Sequence, residues 1–256
     1  NIAMSNRARD QRRRTLSQNF LQPKGVETFL RACDWSDKNK LIEIGAGQGV
    51  ITEALAKDGR SITAYELDPM FGQQTLARLR TYDNVQVVVG DFFAAPDPNV
   101  PFHLVGNVPF SRTSDLVAWG ISNPLMLDAT LITQLEYAKK RTGGYGRWSL
   151  VTVTSWPDFT WELVSSISRH HFRPVPSVDA GILRIARRRK ALVAANDRDY
   201  FQTLVDIGFK GKGGTLFKSL SREFGHQQIA KAFHAAEVEH SRIVAFVEPH
   251  EWIRIH

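Results

Sequence analysis

Four groups of residues in the first half of the chain have the types and spacing that chemistry requires. In Lys40-Leu-Ile-Glu-Ile-Gly-Ala-Gly-Gln-Gly-Val-Ile-Thr52 an apolar run enters a turn carrying Gly45, Gly47 and Gly49. Glycines at such a point let the chain turn sharply and bring its backbone against a ligand with no Cβ in the way. The GxGxG spacing differs from the dinucleotide fingerprint, whose third glycine follows the second by three residues. It fits better a backbone that approaches the amino-acid end of S-adenosylmethionine, with Glu43 nearby. A glycine-rich turn in an ordinary α/β protein is the plainer alternative, and the acids that follow weigh against it. Glu66 ends the next apolar run, where a carboxylate can accept both hydroxyls of a ribose. A nicotinamide enzyme uses a carboxylate in the same way. Asp91, in Val-Gly-Asp-Phe-Phe, ends the third run and can accept a hydrogen bond from an adenine amino group. For Phe92 two readings stand, packing on that ring and filling the core.

The fourth group is Gly106-Asn-Val-Pro-Phe110, which sets a polar amide, a rigid proline and an aromatic ring in one short loop. These suit a flat amine as methyl acceptor. The exocyclic nitrogen of adenine is a poor nucleophile because its lone pair is delocalised into the ring. The Asn107 side-chain oxygen and a backbone carbonyl at Val108 or Pro109 can hold its two hydrogens and favour a pyramidal nitrogen as a methyl group arrives. No general base is then required. Phe110 offers a face on which an extruded base stacks. Phe172, in His-His-Phe-Arg-Pro-Val-Pro, either completes such a pocket or anchors a proline-stiffened turn in the core. His170 and His171 have no acid at ligand spacing, so neither a metal nor a catalytic role is expected of them.

These groups need a scaffold that brings strand ends together. Residues 40 to 135 alternate apolar runs with helical patterns, which reads as a mostly parallel, covered sheet. Its strands are expected at Leu41–Ile44, Ile62–Tyr65, Val85–Val89, Phe102–Val105 and Thr130–Gln134, with helices after the first, second and fourth. Ser149–Thr154 is rich in β-branched residues but precedes Trp156 and Pro157, so strand and helix both remain open. Trp161–Ile167 and Ala180–Ile185 read as an antiparallel edge pair. Composition shifts near Arg187–Asn196, after which short amphipathic helical patterns take over. The expected fold is an α/β Rossmann-like sheet domain over residues 1–188 with a basic N-terminal arm, followed by a smaller all-helical domain over residues 189–256.

The 256 residues carry 33 Lys plus Arg against 26 Asp plus Glu, a formal charge of +7. Arginines cluster at Arg12, Arg13 and Arg14 and again at Arg187 and Arg188, a placement that attracts a phosphate backbone, with a solvated tail and linker as the plainer alternative. The single cysteine, Cys33, excludes an internal disulfide and a thiolate-rich metal site, and suggests a cytoplasmic protein. No apolar run is long enough to cross a membrane, the start does not read as a signal peptide, and no coiled-coil seam suggests anything but a monomer.

At these residues the sequence resembles the S-adenosylmethionine-dependent ribosomal RNA adenine N6-methyltransferases, and within them the Erm type that confers macrolide, lincosamide and streptogramin B resistance. The likeness runs through Ser17-Gln-Asn-Phe-Leu21, Glu43-Ile-Gly-Ala-Gly-Gln-Gly49, Tyr65-Glu-Leu-Asp68, Asn107-Val-Pro-Phe110, Thr133-Gln-Leu-Glu-Tyr-Ala-Lys-Lys-Arg141, Tyr145-Gly-Arg-Trp148 and Phe172-Arg-Pro-Val-Pro-Ser-Val178, and so covers nearly the whole chain. The family's loop usually has isoleucine or leucine where this chain has Val108. The resemblance implies methyl transfer to N6 of one adenine in the peptidyl-transferase loop of 23S ribosomal RNA, before the large subunit is complete. It implies that Gln18, Asn19, Leu21 and Leu67 lie by the cofactor with Glu43, Gly45, Gly47, Phe92 and Asn107. Glu66 would bind ribose, Asp91 the cofactor's adenine, and Asn107 with Phe110 the target base. The basic start and the cleft between the domains would grip RNA. The small-subunit dimethylase, which modifies two adjacent adenines, is the nearest alternative. A protein-amide methyltransferase with a similar Asn-Pro-aromatic loop and an assembly factor that has lost catalysis are the others.

Overall fold

The computed structural model describes residues 19–33, 35–211 and 214–256. Gln18 and Arg12, Arg13 and Arg14 lie outside the described residues. Seven strands form one sheet in the order β4-β3-β2-β5-β6-β9-β7. They are β2 (Lys40–Ile44), β3 (Ile62–Glu66), β4 (Val85–Val89), β5 (Phe102–Gly106), β6 (Met126–Gln134), β7 (Phe159–Ile167) and β9 (Ala180–Arg187). The pairs β2/β3, β3/β4, β2/β5 and β5/β6 are parallel. Helices α2 (Val50–Ala56), α3 (Pro69–Leu79) and α4 (Thr113–Ser122) connect them. Strand β5 is buried at every residue, as a strand covered on both faces must be. The order reverses between β2 and β5, and the strand tips on either side of such a reversal flank the crevice where α/β sheets bind ligands.

Two short strands, β1 (Phe20–Leu21) and β8 (Phe172–Arg173), pair antiparallel, with Leu21 opposite Phe172. Helix α1 (Pro23–Ala32) follows β1 directly and buries Val26 and Phe29.

The chain divides into two compact units, one of residues 1–138 with 163–185, the other of residues 139–162 with 186–256. The first packs its core around Phe29, Leu41, Ile62, Ile132, Phe172 and Ile182. The second holds α5 (Leu135–Arg141) in part, α6 (Leu150–Ser155) and the helices α7 (Arg198–Lys210), α8 (Leu216–Phe224), α9 (His226–Ala236) and α10 (Pro249–Ile255). Its core centres on Val153, Phe201, Leu204, Phe233 and Trp252. Sequence composition put a single division at 188/189, whereas here the segment 139–162 groups with the C-terminal helices. Among the described residues no helix is long and apolar enough to cross a membrane.

Two expectations change in detail. The segment at 149–154, open between strand and helix, is helical. Val153 fills the second core, and the Ser155 hydroxyl donates to the Val151 carbonyl while accepting from Trp161 Nε1 at 3.0 Å. Packing outweighs the β-branched preference there. Strand β6 begins at Met126, four residues before the expected Thr130, because Asp128 does not break it. The Asp128 carboxylate is buried but accepts from Trp35 Nε1 at 3.1 Å and from His103 Nδ1 at 2.9 Å. His103 Nε2 meets Asp37 at 2.9 Å. Burial alone pulls the His103 pKa down, but the carboxylates of Asp128 and Asp37 outweigh it and hold the imidazole above its usual range.

Candidate active site

The tips of β2, β3, β4 and β5 deliver the four chemical groups to one cavity. Gly45 and Gly47 follow β2, Glu66 ends β3, Asp91 follows β4 and Asn107 follows β5, and all five line it. Gly45 and Gly47 have φ of +77° and +58°, a region that side chains strain to adopt. A Cβ on Gly45 would lie 3.3 Å from the Asn107 carbonyl oxygen, and one on Gly47 would lie 3.1 Å from the Phe20 ring. The glycines therefore let three segments close on one another. The Thr75 hydroxyl donates to the Gly47 carbonyl at 2.7 Å and ties the loop to α3. That helix starts where Asp68 caps the Met70 N–H at 2.8 Å with Pro69 at its first position.

Glu66 is buried, and its two oxygens accept the backbone N–H groups of Gly47 at 2.6 Å and Asp68 at 2.8 Å. Burial raises its pKa while these N–H groups oppose the rise. Asp91 accepts from the Phe93 N–H at 3.0 Å through one oxygen. Phe92 is both cavity wall and core: it is 7% exposed and meets Tyr65 and Trp119 edge-on, at 5.1 and 4.7 Å between ring centroids. Leu67, half exposed, also lines the cavity.

Asn107 is held by a bond that fixes its orientation. Its Nδ2 donates to the Asn19 backbone carbonyl at 2.9 Å. Only the amino side of an amide can face a carbonyl oxygen, so the Oδ1 acceptor must occupy the other position. Asn19 precedes β1, whose place is set by the ladder to β8. Val108 and Pro109 line the cavity as well, as do Asn19 and Leu21. Phe110 begins a short 3-10 turn, Phe110–Arg112, and is half-buried but not part of the cavity wall.

Besides Phe110, two further expected site residues lie off the cavity wall. Phe172 is fully buried in the core of the first unit, paired opposite Leu21, so its ring has no exposed face for a base and fills the core. Glu43 is also buried and off the cavity wall, because β2 is still strand there and its side chain leaves through a sheet face, not over the strand tip. Neither Glu43 oxygen has a hydrogen-bond partner among the described residues. Burial pushes its pKa up to about 7; the nearby Thr52 hydroxyl opposes the rise and the Glu66 charge adds to it. Arg187 lies with its guanidinium 4.6 Å from the Phe159 ring, and Arg188 Nε donates to the Trp156 carbonyl at 2.9 Å. Both are thus engaged within the second unit, while Arg189 and Lys190 are exposed. No group of three or more potential metal ligands occurs among the described residues. Phe20, Phe93 and Arg112 also line the cavity, though residue type and spacing did not mark them as site residues. Phe20 lies within the Ser17–Leu21 motif, and Arg112 is the first cation after the Asn107 loop, a signal that spacing offered.

The cavity suits S-adenosylmethionine on its own chemistry. A backbone cradle with no Cβ accepts a ligand at close range, and two strand-tip carboxylates face it as hydroxyl and amine acceptors. The ribosomal RNA adenine dimethylase family matches residues 9–256. An rRNA methyltransferase of Streptomyces thermotolerans is 43% identical over 247 residues, covering 96% of this chain and 83% of that protein. An rRNA adenine N-6-methyltransferase of Streptomyces fradiae is 44% identical over 250 residues, covering 95% and 77%. The crystal structure of the 23S rRNA methyltransferase ErmE superposes with a TM-score of 0.87 at 37% identity, over 93% of this chain and 98% of that one. Sheet, helical unit and cradle all lie within the matched span, and the chain belongs to the ribosomal RNA adenine dimethylase family as an Erm-type, S-adenosylmethionine-dependent rRNA adenine N6-methyltransferase.

Proposed function

We propose that the substrate is one adenine in the peptidyl-transferase loop of 23S ribosomal RNA, methylated at N6 before the large subunit is complete, and that this confers macrolide, lincosamide and streptogramin B resistance on a cytoplasmic host machinery served by a monomeric enzyme. The observation that carries the reading is the Asn107 amide, oriented by the Asn19 carbonyl on the wall of the cofactor cavity. Similarity to the 23S enzyme ErmE supports the choice of RNA.

When bound, the cofactor supplies an electrophilic methyl group on a sulfonium sulfur. Asn107 Oδ1 and the Val108 or Pro109 carbonyl accept the two N6 hydrogens, which draws the amine lone pair out of conjugation and aims it at the cavity. The N–C bond would form as the S–C bond breaks and a neutral thioether leaves; these fixed oxygens stabilise the transiently cationic amine without reorganising, and it then releases its extra proton to water. Glu66 takes the ribose hydroxyls and Asp91 the adenine amino group, with Asn19, Leu21, Leu67 and Phe92 completing the walls and Gln18 adding a polar contact. Phe110 stacks on the extruded base, contributing about 1 to 3 kcal/mol against unstacking. Arg12, Arg13 and Arg14, with Arg187 and Arg188, supply phosphate contacts.

Incubation with protein-free large-subunit RNA and labelled cofactor, followed by mapping of the modified base, tests this. Label at one adenine of the peptidyl-transferase loop is expected. Label on small-subunit particles instead would move the substrate to the sister reading, and label on neither RNA would remove the 23S assignment.

A further inference from the structure

Arg112 has no part in the chemistry above, yet it lines the same cavity. It comes from the loop after β5, and its guanidinium carbon lies 4.7 Å from the centre of the Phe93 ring, in the turn after β4. In the sheet β2 and β3 separate those two strands. The contact therefore links turns from opposite sides of the crevice, across the strand tips that carry Gly45 and Glu66. Both ends are anchored. The Arg112 N–H donates to the Pro109 carbonyl at 2.9 Å, and the Phe93 N–H is held by Asp91. Trp119, on the helix that Arg112 precedes, packs on Phe92 at 4.7 Å.

The guanidinium keeps donors in hand. Nε is buried and makes no hydrogen bond among the described residues; Asp115, three residues on, forms an ion pair with it at 3.7 Å, longer than a hydrogen bond. A guanidinium laid on an aromatic face keeps its N–H groups in its own plane, pointing sideways past the ring. Beside the Asp91 turn those donors meet a neutral, acceptor-rich group far more readily than a cation. Strand β4 stands two strands from β2, roughly 10 Å away at the usual spacing, so this is the end of the cavity where a fixed positive charge is least opposed by a sulfonium held near the glycine loop.

We propose that Arg112, stacked on Phe93, is a cofactor-binding residue that donates hydrogen bonds to the adenosine half of S-adenosylmethionine and closes the crevice over it. The proposal rests on the reading that this half lies along Glu66 and Asp91. The catalytic loop thereby gains a second role, since the segment that grips the target amine also grips the methyl donor.

Equilibrium binding of 5′-methylthioadenosine, which has the adenosine half without the amino-acid end, and of S-adenosylhomocysteine tests it in wild type, Arg112→Met and Asp91→Ala. Arg112→Met keeps a stem to pack on Phe93 but removes the donors. It should weaken both compounds by a similar factor, on the order of tenfold, with the ligand-free melting temperature unchanged. Phe93→Leu, which removes the ring beneath the guanidinium, should lose a smaller factor on both, and stands in if Arg112→Met fails to fold. Unchanged affinity for both compounds in Arg112→Met overturns the proposal. So does a loss confined to S-adenosylhomocysteine, which would place Arg112 at the amino-acid end, or a loss confined to RNA affinity, which would make it a phosphate contact. If Asp91→Ala leaves 5′-methylthioadenosine binding intact, the placement of the adenosine half fails, whereas a loss in Asp91→Ala with none in Arg112→Met fails Arg112 alone.

Discussion

Replacing Asn107 with alanine removes two things at once, and the structure separates their sizes. The first is the oriented oxygen. It accepts a hydrogen bond from an amine that turns cationic in the transition state, a charge-assisted contact worth about 1.5 to 3 kcal/mol. The second is the 2.9 Å bond to the Asn19 carbonyl, a neutral contact worth about 1 kcal/mol, whose loss also frees the loop that presents Val108 and Pro109. With the alignment lost between amine and methyl group, the sum is about 3 to 5 kcal/mol, or roughly two to four orders of magnitude in the methyl-transfer step. Because Asn19 lines the cavity, cofactor affinity should fall as well, by no more than about fivefold. Asn107→Asp keeps an acceptor but turns it toward the Asn19 carbonyl, where two acceptors repel. It should lose activity in the same range and not rescue it. Single-turnover rates at saturating cofactor, alongside calorimetric cofactor binding, measure both quantities. A rate for Asn107→Ala within tenfold of wild type would refute the role assigned to this amide.

Phe110→Ala should cost about 1 to 3 kcal/mol in kcat/KM for RNA while Phe110→Tyr stays near wild type, since stacking needs the ring face; equal losses in both would argue against stacking. Glu43 is protonated more readily in the folded than in the unfolded chain, so its burial penalty grows as pH rises from about 4.5 to about 7. Glu43→Gln should therefore flatten the decline of cofactor-free stability across that window, by at most about 3 kcal/mol, and thermal melts at pH 5 and pH 8 with no difference between variant and wild type would contradict this. His103 has its pKa raised, so its contribution is fully present below about pH 6.5 and is lost as pH rises through the folded value; His103→Gln should lower stability by about 3 kcal/mol at pH 6 in denaturant titrations and by less at pH 9. Changing Arg12, Arg13 and Arg14 to alanine should flatten the salt dependence of RNA affinity by up to about three units of slope, and an unchanged slope would leave them as solvated surface.

The sheet was legible because each central strand is a short apolar run that ends in a glycine or an acid, and those punctuation residues are the ones that line the crevice. Gly45, Glu66, Asp91 and Asn107 could therefore be named from spacing. Residues whose role depends on which way a side chain leaves the backbone were not legible. Glu43 is one position too early in β2 to reach the crevice, and no local pattern distinguishes an acid at a strand tip from one pointing into a sheet face. The strand start at Met126 was not legible because the partners that let Asp128 be buried there, Trp35 and His103, are 93 and 25 residues away. Leu150–Ser155 took its conformation from a core built mainly by residues beyond 190. Phe172 was balanced between two roles, and its pairing with Leu21, far away along the chain, decides for the core. The place of Arg112 on the cavity wall was not legible either, because the ring it lies over, Phe93, is on a turn beyond two intervening strands.

If oxygens of the Asn107 loop present the N6 amine to the methyl donor, as proposed, nucleoside analysis of the methylated RNA will show it. Wild-type enzyme should place all its label on N6 of adenosine, as mono- or dimethyladenosine, and Asn107→Ala at equal cofactor occupancy should leave almost none. Label on a ribose oxygen, a ring nitrogen or a carbon, or N6 label undiminished in Asn107→Ala, would contradict the account.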